Sequence, residues 1–134
     1  MSERVLRWVL VALSGFLALT AIAGGVGLLS GAVSPPLEDL AGSFFPDYTV
    51  PGLALMLVVG GLALAATVLL LRRHRRAWAA SAIAGLAIVG FEAVEVVVIG
   101  SPAGYARSLQ LVYLGLGALL IALALWYRAR TQTA

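Results

Sequence analysis

From Trp8 to Leu37 the chain carries no charged side chain. A helix needs about 20 mostly apolar residues to cross the hydrocarbon core of a bilayer. Three later stretches are comparably apolar, so the pattern predicts four spans, at 5–29, 51–71, 77–99 and 106–127. They are joined by an outer loop at 30–50 and a short basic inner loop at 72–76. Soluble domains are roughly half apolar and a quarter charged. This chain of 134 residues is 62% hydrophobic and 11% charged, with a mean hydropathy of +1.04. The expected class is all-α: a single transmembrane domain over 1–134, built as an up-down-up-down four-helix bundle.

The start of the chain, M-S-E-R-V-L-R-W, leads straight into the first apolar run. Ala21-Ile22-Ala23 has the local shape of a signal-peptide cleavage site. The uncharged run is far longer than the short apolar core of such a peptide, so it reads as a retained first span.

Charge placement predicts the orientation. Arg4 and Arg7 precede the first span, Arg72, Arg73, Arg75 and Arg76 separate the second from the third, and Arg128 and Arg130 follow the fourth. Only Arg107 falls on the other side. Short arginine-rich loops stay cytoplasmic, so both termini are expected inside. Aromatic residues agree: Trp8, Trp78, Trp126 and Tyr127 fall at the inner interface, and Phe44, Phe45, Tyr48 and Tyr105 at the outer one. The net charge of +3 is therefore a matter of topology and lipid headgroups rather than a nucleic-acid groove, and no nucleic-acid partner is expected. Arginine without lysine, with abundant Ala, Gly, Leu and Val, suggests a bacterial protein of the cytoplasmic membrane. The absence of cysteine removes disulfides and thiol chemistry.

In the outer loop, Pro35 and Pro36 are expected to end the first helix, because proline lacks the N–H that a continuing helix needs. Leu37, Leu40, Phe44 and Phe45 suit a short helix on the bilayer surface, and Pro51 suits the first turn of the second span. Glu38, Asp39 and Asp47 make the loop acidic, and Asp47 and Tyr48 are candidates for a lid over an outer site. Small residues are spaced for close helix packing at Gly27-x-x-x-Gly31, Ser81-x-x-x-Gly85 and Ala118-x-x-x-Ala122, with Gly60 and Gly61 mid-way along the second span.

The third span contains F-E-A-V-E-V-V-V-I-G. Ser81, Gly85, Ile88, Glu92, Glu95 and Ile99 form one helical stripe, which makes Glu92 and Glu95 neighbours on one face. At ~1.5 Å per residue they lie about 12 and 7 Å below the outer end at Gly100. On the fourth span Gln110 falls near the depth of Glu95 and Tyr113 near that of Glu92, with Arg107 above them. The expected polar cluster is Glu92, Glu95, Arg107, Gln110 and Tyr113. A charge near the centre of a span costs roughly 2.5–3.5 kcal/mol, and two like charges one turn apart also repel. Either one glutamate holds a proton at neutral pH, or Arg107 or a bound cation compensates.

His74, the only histidine, sits in R-R-H-R-R and reads as a loop residue. There is no Ser/His/Asp set, phosphate loop or His-containing di-iron pattern, so no catalytic residue, metal or cofactor is expected. F-P-D-Y-T-V-P-G, G-F-E-A-V-E-V-V-V-I-G and L-Q-L-V-Y, taken in order, resemble a set of small four-span bacterial membrane proteins. That resemblance implies the fold and no activity.

The leading expectation is a non-enzymatic membrane protein whose outer acidic site binds or moves a cation or small basic solute. The alternatives are an accessory or assembly subunit of a larger membrane complex or a homo-oligomer, and an intramembrane enzyme with a carboxylate acid.

Overall fold

The computed structural model of the chain describes residues 1–101 and 103–132; the Tyr105 side chain, expected at the outer interface, lies outside that description. Among the described residues the protein is all-helical. Its four long helices are α1 (Glu3–Ser30), α2 (Thr49–Leu71), α3 (Ala77–Ile99) and α4 (Tyr105–Gln132). Each is long and apolar enough to cross a membrane.

The helix ends follow local chemistry. The Ser2 hydroxyl accepts from the Val5 N–H at 3.2 Å and caps α1. α1 ends at Gly31, whose φ of +82° suits glycine, and not at Pro35 and Pro36 as the proline rule predicts. The surface helix expected over Leu37–Phe45 is only a 3₁₀ turn, Leu37–Leu40. Leu40 turns inward at 4% exposure, whereas Phe44 stands fully exposed beyond a left-handed Gly42 that breaks the turn. α3 has the predicted bounds. α4 runs past Tyr127 because Arg128 and Arg130 carry their charge outward while the backbone keeps its helical bonds. Within α2, Ala54–Val59 is wound as a π-helix, a feature without a simple sequence signature.

α1 packs antiparallel to α2: Arg7 reaches Leu70, Ser14 meets Thr67, and Gly25 meets Gly52 and Met56. α3 packs antiparallel to α4: Trp78 meets Arg128, Gly85 meets Gly117, and Gly100 meets Gln110. Contacts between α2 and α3 and between α1 and α4 close the bundle. Leu6, Leu10, Leu17, Leu70, Ile88 and Leu120 fill its middle. The outside is as apolar as the inside, with Leu19, Val97 and Leu111 at 70%, 85% and 63% exposure. In water such a surface would drive association, but hydrocarbon solvates it.

Because lipid solvates leucine as well as a protein core does, backbone proximity has to hold the helices together. A Cβ placed on Gly85 would lie 2.7 Å from the Gly117 carbonyl oxygen, and one on Gly25 would lie 2.6 Å from that of Gly52. Ser81 and Gly85 serve the α3–α4 seam, whereas Ala118 and Ala122 face outward and Gly31 and Gly61 meet nothing within 4 Å. One polar bridge reinforces the α1–α2 seam. The Thr67 hydroxyl donates to the Ala63 carbonyl at 2.9 Å, so the fully buried Ser14 donates to Thr67 at 2.8 Å.

Gly85→Ala should lower stability by about 1–3 kcal/mol, because the methyl group meets backbone that cannot swing away. Gly90→Ala has open space and should be neutral or slightly stabilising. Thermal unfolding of the two variants in detergent checks the contrast.

Candidate functional site

The Gly85–Gly117 crossing sets the register of α3 on α4. Glu92 lies seven residues beyond Gly85, and Gln110 lies seven before Gly117. Seven residues are close to two turns, about 10 Å, so both residues return to the α3–α4 seam. Both are buried, at 5% and 2% exposure. The Gln110 amide donates to the Gly100 carbonyl at 3.0 Å, which ties α4 to the end of α3. Among the described residues its own oxygen, Oε1, has no donor, and neither has Oε2 of Glu92. Two buried acceptors on this seam therefore lack donors among the described residues, and each unpaired group of this kind costs roughly 1–3 kcal/mol.

Glu95, half-buried one turn on, lies within hydrogen-bonding reach of Glu92. Two carboxylates at that distance need a proton or a cation between them. They also lie in the last third of α3, where the helix dipole favours positive charge over negative. Tyr113 is half-buried and packs on the core beside this seam.

Arg107, one of the alternatives for compensating the carboxylates, is exposed and turned elsewhere. Its Nη2 and Nε donate to the Ser101 carbonyl at 2.7 and 3.2 Å, and Nε also lies 3.4 Å from the Ser101 hydroxyl. The short loop after α3 offers a carbonyl nearer than any carboxylate, and the guanidinium takes it. Among the described residues, the structure thus brings Glu92, Glu95, Gln110 and Tyr113 to one seam and leaves Arg107 at its rim.

The loop before α2 reaches the same end. Leu40 is buried and its turn packs on α3. The Tyr48 phenol donates to the Pro36 carbonyl at 2.9 Å. Burial first, then the negative charges of Asp39 and Glu95, push its pKa upward, so it stays a neutral donor close to the carboxylate pair. Asp39 was not among the residues singled out from the sequence; its only signal is its place in the acidic loop. Asp47 has a different part from Tyr48. Its Oδ1 accepts from the Thr49 N–H at 3.0 Å, so it closes an Asx turn at the start of α2 and satisfies the first N–H of that helix. That bond, with a second from the Thr49 side chain, holds the fully exposed carboxyl below the usual range.

At the opposite end, Arg72, Arg73, Arg75 and Arg76 are all exposed. His74 accepts from the Arg76 N–H through Nδ1 at 3.1 Å, as a loop residue does. Among the described residues no group of three or more His, Cys, Asp or Glu converges as a metal site would.

No known family's model matches this chain, and no curated protein or solved structure matches it either.

Because the folded-state pKa of Asp47 is depressed, its capping contribution is present above the unfolded carboxylate pKa. It is lost as pH falls through the folded value. The protection of the Thr49 amide against hydrogen exchange, corrected for intrinsic rate, should therefore fall at acidic pH. In Asp47→Ala the protection should be low throughout.

Proposed function

We propose that this is a non-enzymatic membrane protein whose buried carboxylate pair, Glu92 with Glu95, binds or moves a proton, a monovalent cation or a small basic solute. The observation that carries the reading is Glu92 itself: buried in an apolar helix, one oxygen lacking a donor among the described residues, an acidic neighbour beside it, and Arg107 turned away. A proton or cation is the partner this arrangement lacks. Ionisable groups held inside a membrane span are expensive, and they characteristically mark ion or proton pathways.

The proposed setting is a bacterial cytoplasmic membrane, with the four helices running up, down, up, down and both termini inside. Arginine at one end of the bundle supports that orientation. The carboxylate pair then faces the outer side beneath the loop that holds Glu38, Asp39 and Tyr48. Negative charge there draws cations towards the site. Two carboxylates suit a proton, a loosely coordinated monovalent cation or an amine better than a transition metal, which demands more side-chain ligands.

A second reading, an accessory subunit or homo-oligomer, draws on one observation. Gly90, Gly115, Ala118 and Ala122 leave small residues on the outward faces of α3 and α4, where another helix has room to approach.

Infrared difference spectroscopy of the full chain in nanodiscs tests the leading reading. A protonated carboxyl band should titrate with pH, vanish in Glu92→Gln, and shift on addition of sodium or methylammonium. If the band is indifferent to pH and to both cations, and the Gln variants merely lower the melting temperature, the pair is structural and the reading fails.

A further inference from the structure

The arginine end of the bundle holds a cavity of about 470 Å³, lined by Glu3, Arg4, Arg7, Arg73, His74, Arg75, Tyr127 and Thr131. Four arginines face one carboxylate there. The lining comes from the start of α1, the α2–α3 loop and the end of α4, so only the folded bundle assembles it. Three features set it apart from a solvated basic loop.

The first is Arg7. It lies on the stripe of Leu10, Ser14 and Leu17 that α1 turns inward, and it is only 6% exposed. Its Nη1 donates to the Leu70 carbonyl at 3.1 Å, and its guanidinium stands over the Trp8 ring at 4.8 Å. One bond to a neutral carbonyl and one ring contact leave most of its five donors unused and much of its charge to be met. The second is Tyr127, buried at 5% exposure, with its phenol in electrostatic reach of Glu3, Arg7 and Arg73.

The third is backbone strain. α2 closes with a Schellman motif: the Arg73 N–H bonds the Leu70 carbonyl at 3.2 Å, and the His74 N–H bonds the Leu69 carbonyl at 2.9 Å. The motif needs one left-handed residue, normally glycine. Here Arg73 takes it, with a φ of +53°. A left-handed conformation is unfavourable for a residue that carries a side chain. Glycine would avoid that cost, and residues held in such conformations cluster at functional sites.

We propose that this cavity is an anion site that takes a phosphate group, held by Arg4, Arg7, Arg73 and Arg75 with the Tyr127 hydroxyl. Guanidinium is the side chain best matched to the paired oxygens of phosphate. The phosphate has two possible sources, an anionic lipid headgroup at the bilayer surface or a free phosphate compound in solution. Arg72 and Arg76 share the loop but not the lining, so they carry the same charge without the site.

The test uses the full chain. Inorganic phosphate and pyrophosphate are titrated in an uncharged detergent. Retention of phosphatidic acid and phosphatidylglycerol, against phosphatidylcholine, is read by native mass spectrometry from nanodiscs. Arg73→Gly should leave the melting temperature unchanged or raised, since it relieves the strained turn, yet weaken binding roughly tenfold. Arg4→Gln, at an exposed position, should weaken binding similarly without unfolding the protein. The double variant Arg72→Gln/Arg76→Gln should change affinity far less. Binding of the anionic lipids alone identifies the headgroup as the ligand. Binding of the free anions identifies a soluble phosphate compound. If neither class binds, or if the Arg72/Arg76 variant loses as much affinity as Arg73→Gly, the proposal is overturned.

Discussion

In hydrocarbon, burying leucine against leucine gains little, so the bundle depends on where two backbones come close enough for dispersion to act over many atoms. Gly85 against Gly117 and Gly25 against Gly52 are those places. The first fixes α3 on α4 and the second fixes α1 on α2. Much else is a matter of register from these crossings. Glu92 and Gln110 both lie on the α3–α4 seam because each is two turns from the same glycine contact. Ser14 meets Thr67 because the α1–α2 seam runs antiparallel away from Gly25.

The two ends of the bundle treat buried charge differently. Arg7 sits where the last carbonyls of α2 emerge, and the negative end of that helix dipole suits a guanidinium. Its burial is partly compensated by the fold. Glu92 and Glu95 have the reverse placement, near the carbonyl end of α3, and the nearest arginine has taken a loop carbonyl instead. The fold therefore provides part of a counter-charge at one end and leaves it wanting at the other. That asymmetry is why the acidic pair reads as a place where a positive species comes and goes.

Much of this was legible in the residues. Charge-free runs located the four helices, and α3 was placed to the residue. The i, i+3, i+4 spacing put Glu92 and Glu95 on one face of α3 and Gln110 and Tyr113 on one face of α4. What escaped was decided by single local contacts. Gly31 ends α1 because a left-handed glycine closes a helix sooner than a distant proline does. Arg107 turns aside because the Ser101 carbonyl lies within reach. The π-helical stretch at Ala54–Val59 lies where α2 meets Gly25, and its winding has no simple signature in the sequence. Arg7 is the instructive omission. Grouped with Arg4 it looked like a flanking anchor, but its steps to Leu10, Ser14 and Leu17 follow the same buried stripe, and that spacing was the signal.

Between the two ends the interior is sealed. Leu10, Leu17, Ala63, Ala84, Ile88 and Leu120 are each at most 1% exposed. A row of methyl groups packed at crystal-like density admits neither water nor an ion. A cation held at Glu92 in this arrangement therefore exchanges with one side of the bundle only. Movement across would require α1–α2 and α3–α4 to repack against each other, and the softer contacts for that lie between the pairs, away from the glycine crossings. Binding needs nothing beyond the arrangement described. Transport needs a second arrangement, so of the two halves of the functional reading, binding makes the smaller demand on this fold.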